Sequence, residues 1–209
     1  MYKPFIQPPE LIRRFYPKRL WRMNPLEQSV YLTFDDGPHP EITPFVLEQL
    51  AHAGAKASFF CIGSRVAAHP SVYRQILKQG HRVGNHTHQH LNVWHVNQQD
   101  YINDIATASK LIDSNLFRPP YGKLPWYIAK QIPSVIKAPA QIVMWDILSG
   151  DFDQRQTASA CFEYCCRYIR PGSIIVLHDS EKAWGRLAAL LPALISFTTS
   201  AGYSLKALP

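Results

Sequence analysis

SIIVLH, residues 173–178, is the stretch that decides the fold, because four consecutive apolar residues are followed at once by a single histidine. A half-buried strand alternates apolar and polar residues, whereas a strand buried on both faces is apolar throughout. The run IVMWDIL, residues 142–148, has the same character. Both runs therefore predict strands inside a sheet that is covered on both faces.

Outward from these runs, short β-rich segments alternate with longer helical patterns, and glycine follows several of the helices. The predicted strands are Val30–Phe34, Ala57–Cys61, Arg82–Asn85, Leu116–Arg118, Gln141–Trp145, Ser173–Leu177 and Tyr203–Lys206. The predicted helices are Thr43–Ala53, Pro70–Gln79, Asn97–Asp113, Pro125–Gln131, Thr157–Ile169 and Trp184–Ser200. This alternation predicts parallel strands joined by right-handed crossovers, which either close as a (β/α) barrel or stay open as a doubly wound sheet.

Composition supports a single globular domain. The chain has 209 residues, of which 46% are apolar and 18% are charged, and these proportions exclude disordered and collagen-like classes. The longest apolar stretch, residues 187–197, is about half the length of a bilayer span, so no transmembrane helix is expected. The four cysteines are predicted to be buried thiols rather than disulfides or metal ligands: Cys61, Cys161, Cys165 and Cys166.

Charge is concentrated at the start of the chain. Residues 1–28 hold six basic and two acidic side chains, which is +4 of the net +7. We therefore divide the chain into a basic, proline-containing extension (1–28) and one domain (29–209). The extension is either an ordinary solvated segment or an arm that contacts anionic lipid, nucleic acid or an acidic polymer. A nucleic-acid partner is not expected, since no basic motif interleaved with aromatic residues is present.

The start of the chain also bears on its compartment. Charged residues interrupt it too often for the apolar region of a secretory signal. We therefore expect a cytoplasmic location, with the cell envelope as the alternative if the start is processed or incomplete. The oligomeric state is left open.

Polar residues follow five of the seven predicted strands. They are Asp35-Asp36-Gly37-Pro38, the HTHQH run at 86–90, the RPPYG run at 118–122, Asp146 with Asp151, and His178-Asp179. Both candidate architectures bring the carboxyl ends of parallel strands to one edge. The sequence therefore predicts one functional site built from these segments.

The histidine run is the strongest metal signal. Three imidazoles in five residues suit a divalent cation, and two histidines with one carboxylate leave positions open for water. If the segment stays extended, His86, His88 and His90 face one side; if the chain turns into a helical twist after Asn85, only His86 and His90 meet and His88 is turned away. Asp36 is the predicted carboxylate ligand.

The remaining candidates are acid–base groups. Adjacent residues of a strand point to opposite sides of the pleat, so Asp35 and Asp36 are expected to perform different tasks. Arg118, held before two prolines, can bind a carboxylate, and Asp35 is the candidate. His178 is either a satisfied core histidine or an acid–base group, with Asp151 or Asp179 available to orient it.

These motifs together resemble the polysaccharide deacetylases, which are carbohydrate esterase family 4 or the NodB homology domain. The resemblance is carried in order by TFDDGP (33–38), HTxxH (86–90), RPPY (118–121) and Leu177-His178, from about residue 29 to the end of the chain. It implies a single-domain α/β fold, an irregular (β/α), TIM-like barrel with about seven parallel strands. It also implies a metal-dependent N-deacetylase, a hydrolase of carbon–nitrogen bonds other than peptide bonds. Such an enzyme removes acetyl groups from N-acetylated sugars of peptidoglycan or a chitin-like oligosaccharide by attack of water that the metal activates.

The resemblance also implies a role for each motif residue. One divalent metal, usually zinc, with Co²⁺, Ni²⁺ or Mn²⁺ as alternatives, is held by Asp36, His86 and His90. Asp35 is the general base, paired with Arg118, and His178 is the general acid, tuned by Asp151. The Tyr121 N–H helps to hold the oxyanion. The acetyl-methyl pocket is lined by Phe152 together with Val176 or Leu177.

One motif departs from the family pattern Asp-x-x-Asp-Trp. Here Leu148 replaces the first aspartate and Phe152 replaces the tryptophan, while Asp151 is kept. Activity is still expected, but with an altered pocket. The alternatives are an O-acetyl esterase, a deacetylase of small acetylated amines, or a catalytically weak glycan-binding relative.

Overall fold

Eight parallel strands form a sheet that curls into an incomplete barrel. The computed structural model describes residues 7–209. The order along the sheet is β5-β4-β3-β2-β1-β7-β6, with β8 paired to the start of β1. The strands are β1 Ser29–Asp35, β2 Ser58–Cys61, β3 Arg82–Asn85, β4 Leu116–Phe117, β5 Gln141–Ile142, β6 Ile147–Leu148, β7 Ile174–His178 and β8 Ser204–Leu205.

Curling brings side chains of well-separated strands together in the interior. Tyr31 of β1, Phe60 of β2, Leu116 of β4 and Ile174 of β7 share one buried cluster. Because three strands lie between β4 and β7 in the sheet order, a flat sheet could not bring their side chains together. The barrel is therefore confirmed over the open doubly wound sheet.

Helices cover the outside of the barrel. Leu32 and Phe34 of β1 and Ile175 of β7 pack with α2 and α8 in the largest apolar cluster. The helices are α1 Glu10–Phe15, α2 Ile42–His52, α3 Gly63–Ala68, α4 Pro70–Lys78, α5 Gln98–Ser109, α6 Trp126–Ala129, α7 Ala158–Tyr168 and α8 Glu181–Ser200. Among residues 7–209, none of these helices has the length and apolar character that crossing a membrane requires. Cys61, Cys161 and Cys165 are buried, as predicted, whereas Cys166 is only half-buried.

The register of β1 and β7 positions two residues of the predicted site. Asp35 at the end of β1 lies beside His178 at the end of β7, and Thr33 lies beside Val176. Alternate residues share a face of a strand, so all four side chains lie on the face that Tyr31 and Ile174 direct into the barrel.

Residues 20–23 cross the amino-terminal opening of the barrel. The Leu20 N–H donates to the Ile142 carbonyl at 2.8 Å, and the Met144 N–H donates to the Leu20 carbonyl at 2.8 Å. Further on, the Met23 N–H donates to the Gly172 carbonyl at 2.8 Å. The division between residues 28 and 29 stays a prediction, and Lys3 and the rest of residues 1–6 lie outside the described residues.

The structure differs from the predicted elements at the fifth strand. One strand was expected over 141–145, but β5 ends at Ile142 and a separate β6 begins at Ile147. Asp146 therefore lies before a strand rather than after one. Its carboxylate accepts hydrogen bonds from Arg13 at 2.7 Å, Arg170 at 2.9 Å and Ser173 at 2.8 Å, at the end of the barrel opposite the predicted site. The short helices α1 and α3 were also not predicted.

Candidate metal and catalytic site

Asp36, His86 and His90 converge at the carboxyl end of the barrel. Each offers one ligand atom, and the three atoms lie within 4.8 Å of one another. The Asp36 Oδ1 is 3.3 Å from the His90 Nε2 and 3.8 Å from the His86 Nε2. This is the two-histidine, one-carboxylate set that the sequence predicts, and it leaves coordination positions open.

The charge states of His90 and Asp36 fit a divalent cation. Burial, and then the neighbouring His86 imidazole, lower the pKa of His90 to about 4, so this ring is neutral near pH 7. Burial acts to raise the pKa of Asp36, but the imidazoles of His178, His86 and His90 outweigh it, and the pKa lies below its ordinary value. Neutral imidazoles and an ionised carboxylate are the forms that bind metals.

A hydrogen bond on the far side of the ring fixes the His86 imidazole. The buried His86 Nδ1 lies 2.7 Å from the Arg118 carbonyl, which can only accept, so Nδ1 carries the proton. The lone pair is then on Nε2, which points toward Asp36. Such outer hydrogen bonds orient metal-binding histidines in general.

The third histidine of the run turns away. Thr87 and His90 both have left-handed backbone, with φ of 66° and 54°, so the segment is neither extended nor helical. The His88 N–H donates to Asp104 at 2.7 Å, and its ring lies against Gly63. Only His86 and His90 meet, as one of the two alternatives expected, but the helical twist that was to bring them together is wrong, because left-handed residues form the turn instead.

Arg118 and Asp35 form a buried ion pair next to the metal-ligand cluster. The Arg118 Nη1 donates to the Asp35 Oδ1 at 2.6 Å and to the Thr33 Oγ1 at 2.7 Å. The Arg118 Nη2 donates to the Met144 carbonyl at 2.9 Å, and the guanidinium lies 4.0 Å from the centre of the Phe60 ring. With Arg118 only 1% exposed, these contacts hold the Asp35 carboxylate in one orientation.

Asp35 and Asp36 do not point apart as an extended strand would require, so that prediction is wrong. Asp36 follows the end of β1 and has a φ of 78°, which turns its side chain back toward the site. The His86 Nε2 is consequently 4.0 Å from the Asp35 Oδ2 and 3.8 Å from the Asp36 Oδ1. The two carboxylates still have different partners, since Asp35 pairs with Arg118 and Asp36 with His90.

His178 is oriented by Asp151, not by Asp179. The Asp151 Oδ1 is 2.7 Å from the His178 Nδ1, and its Oδ2 accepts the His178 backbone N–H at 2.8 Å. Burial acts to lower the pKa of His178, but the Asp151 carboxylate outweighs it and raises the pKa to about 9. His178 is therefore a cation at neutral pH and can donate a proton.

This ion pair predicts how stability depends on pH in the metal-free protein. The pKa of His178 rises from 6.5 to about 9 on folding, so its contribution is full below pH 6.5 and disappears as pH rises through 9. Asp151→Asn should remove a contribution of about 3 kcal/mol below pH 6.5 and flatten the pH dependence between those limits. Urea unfolding at pH 6 and pH 9.5 measures both effects. Asp153→Asn, two residues away and paired with the exposed Arg155, is the matched control, and an equal change in the two variants would contradict the assignment.

Three of the four predicted substrate-contacting residues lie near the site, and Leu177 does not. Tyr121 is exposed and has a φ of 59°, and the centre of its ring lies 4.8 Å from that of His90 in an edge-on arrangement. The centres of the Phe152 and His178 rings are 5.2 Å apart. Val176 is on the inner face of β7, as His178 is. Leu177 instead packs in the cluster between the sheet and the helices. Of the two alternatives for the pocket wall, the inner face holds Val176.

Sequence reasoning missed one supporting group, Thr33, and offered another, Asp179, only as an alternative partner of His178. Thr33 was named only as part of a motif, yet its hydroxyl accepts a hydrogen bond from the Arg118 guanidinium. Because Thr33 lies two residues before Asp35, strand alternation would have placed both side chains on the same face. Asp179 accepts the Gly37 N–H at 3.1 Å and the Thr43 hydroxyl at 2.5 Å, which fixes the turn after Asp36. Burial raises the pKa of Asp179 to about 7.

Comparison with known proteins finds the same family throughout. The family model described as polysaccharide deacetylase matches residues 22–135. A peptidoglycan-N-acetylglucosamine deacetylase of Bacillus cereus is 34% identical over 193 residues, 88% of this chain and 87% of that protein. A chitooligosaccharide deacetylase of Azorhizobium caulinodans is 36% identical over 166 residues, 76% of this chain and 77% of that protein. The crystal structure of the Bc1960 peptidoglycan N-acetylglucosamine deacetylase superimposes with a TM-score of 0.85 at 26% identity, over 100% of this chain and 96% of that one.

Proposed function

The chain belongs to the polysaccharide deacetylase family, and from that premise we propose that it hydrolyses the acetamido groups of N-acetylated sugars in a glycan, peptidoglycan or a chitooligosaccharide. The observation that carries the proposal is the convergence of Asp36, His86 and His90 beside two separate acid–base pairs. We further propose that the cation held by the three ligands is Zn²⁺, since a set of two imidazoles and one carboxylate suits that ion.

The cation and the acid–base groups have separate tasks. A divalent ion bound at this site would lower the pKa of a water molecule and polarise the acetyl carbonyl. Asp35 is the group placed to take the proton from the attacking water, because Arg118 holds one of its oxygens and leaves Oδ2 facing the ligand cluster.

The later part of the reaction needs an oxyanion donor and a proton for the leaving nitrogen. The Tyr121 N–H has no acceptor among residues 7–209 and is available to the developing oxyanion. His178, held as a cation by Asp151, gives its proton to the departing sugar amine. The products are acetate and a free amine on the glycan.

Rate should depend on pH through these two groups. Because His178 must give a proton and Asp35 must take one, kcat/KM should rise and then fall with pH, and the upper limb should report the proton that Asp151 holds on His178. Asp151→Asn should move that limb to lower pH, because the carboxylate that holds the proton is gone. A profile measured from pH 5 to 10.5 checks both points. An upper limb that stays in place in Asp151→Asn would show that another group donates the proton.

The proposed function is tested by acetate release together with metal analysis of the same preparation. We expect about one zinc per chain and acetate from N-acetylated chito-oligomers or peptidoglycan, and none after chelation until metal is restored. Acetate from acetylxylan alone would instead favour an O-acetyl esterase, and acetate from small acetylated amines alone would favour a small-amine deacetylase. Either result would fit a pocket altered by Leu148 and Phe152. Sugar binding with full metal and no acetate from any substrate would indicate a glycan-binding relative.

A further inference from the structure

Residues 10–28 expose an unusual number of large apolar side chains. Five of the twelve exposed large apolar or aromatic residues of the structure lie in this short segment: Leu11, Ile12, Phe15, Tyr16 and Leu26. Leu26 is 88% exposed, Phe15 72% and Leu11 64%. Leu11 and Phe15 are four residues apart on α1 and so share one face of that helix. Exposed apolar clusters of this kind mark surfaces that contact another molecule or a membrane.

Positive charge accompanies these apolar residues. Among residues 7–209, Arg14, Lys18 and Arg22 take part in no ion pair. Nearby residues surround an open cavity of about 500 Å³ whose lining includes four arginines: Arg13, Arg19, Arg22 and Arg170. Glu10 is the carboxylate of that lining, and the buried Asp146 pairs with Arg13 and Arg170. Guanidinium groups favour phosphate oxygens, to which they donate paired hydrogen bonds.

The segment lies at the end of the barrel opposite the catalytic edge. Arg170 precedes β7, and Met23 is bonded to Gly172, whereas His178 ends the same strand. Five strand residues separate these ends by roughly 13 Å. A flat partner on this face would therefore leave the metal-ligand cluster open on the far side.

We propose that residues 10–28 form a face that docks the protein on an anionic phospholipid bilayer. Leu11, Phe15 and Leu26 enter the boundary between headgroups and acyl chains, and Arg14, Lys18 and Arg22 contact the lipid phosphates. Apolar side chains beside unpaired basic ones match the requirements of a bilayer surface, where both contributions add. A purely electrostatic partner such as nucleic acid would leave the apolar side chains without a role.

Vesicle sedimentation with the full chain tests the proposal. We expect the protein to sediment with phosphatidylcholine vesicles that contain about a third phosphatidylglycerol, and not with pure phosphatidylcholine. Leu11→Ser, Phe15→Ser and Leu26→Ser together should weaken partitioning more than about 10-fold. Arg14→Gln, Lys18→Gln and Arg22→Gln together should weaken it about 100-fold, at about 5-fold per charge.

Matched variants on other surfaces control for general loss of charge and apolarity. Leu77→Ser with Leu111→Ser removes exposed leucines elsewhere, and Arg74→Gln, Lys78→Gln and Lys110→Gln remove the same charge from exposed positions. These controls should bind as the unaltered chain does, and thermal unfolding of every variant verifies its fold.

Three results would overturn the proposal. They are no sedimentation with the anionic vesicles, equal loss in the control variants, and a concentration-dependent dimer in ultracentrifugation that the apolar triple variant abolishes. The last result would show that a second copy of the chain covers the face.

Discussion

His178→Ala is expected to lower kcat about 10²- to 10⁴-fold, the range for loss of a positioned acid or base, while the metal stays bound. The imidazole is separate from the cluster of Asp36, His86 and His90, so its removal leaves the ligand set intact. Its proton is held by Asp151 at 2.7 Å, and without it the sugar amine must leave unprotonated. Steady-state kinetics with metal analysis of the same sample measures both quantities.

Two controls sharpen this experiment. His52→Ala removes an exposed imidazole at the end of α2 and should leave kcat unchanged. Added imidazole should partly restore turnover in His178→Ala, since a diffusible acid can enter the space that the side chain leaves. If the variant loses its metal in proportion to its activity, His178 is a ligand and its role as acid is wrong.

Asp35→Asn is expected to lower kcat by a similar 10²- to 10⁴-fold, again with metal retained. Asparagine keeps an oxygen that can accept from the Arg118 Nη1, so the geometry of the pair survives, but it cannot take a proton. The buried Arg118 guanidinium also loses its counter-charge, which should reduce the free energy of unfolding by several kcal/mol. Kinetics, metal content and urea unfolding therefore give three independent readouts.

The neighbouring aspartate supplies the contrast. Asp36→Asn should release metal, because Asp36 is the carboxylate of the ligand cluster, whereas Asp35→Asn should not. The two variants differ by one position in the chain and carry the same chemical change. Metal loss in Asp35→Asn, or full metal in Asp36→Asn, would show that the two roles are exchanged or shared.

The sequence predicts best where one local pattern determines the structure. A continuous apolar run identified β7, and polar residues after it and after the strand predicted at Val30–Phe34 marked the carboxyl edge where Asp35 and His178 meet. Prolines after Arg118 indicated a fixed guanidinium, and the structure pairs it with Asp35 as expected.

Other features depend on backbone angles or on distant contacts and were beyond the sequence. The turn at Asp36, with a φ of 78°, brings its carboxylate beside that of Asp35; aspartate adopts positive φ more often than most residues, but the residue type alone does not predict that angle. Which two of the three histidines meet depends on the backbone φ of Thr87, which is 66°. The hydrogen bond from His86 to the Arg118 carbonyl joins groups 32 residues apart. Every residue has a backbone carbonyl, so the sequence could not predict this partner.

Residues 20–23 have a consequence for any shortened version of this protein. Leu20 supplies the hydrogen-bonding partner beside Val143 at the free edge of the sheet, and Arg13 neutralises the fully buried Asp146. A truncation that begins at residue 29 would uncover that edge and leave Asp146 with Arg170 and Ser173 alone. Bare sheet edges recruit strands from other molecules, so such a fragment would tend to aggregate, and a recombinant form should start well before Arg13.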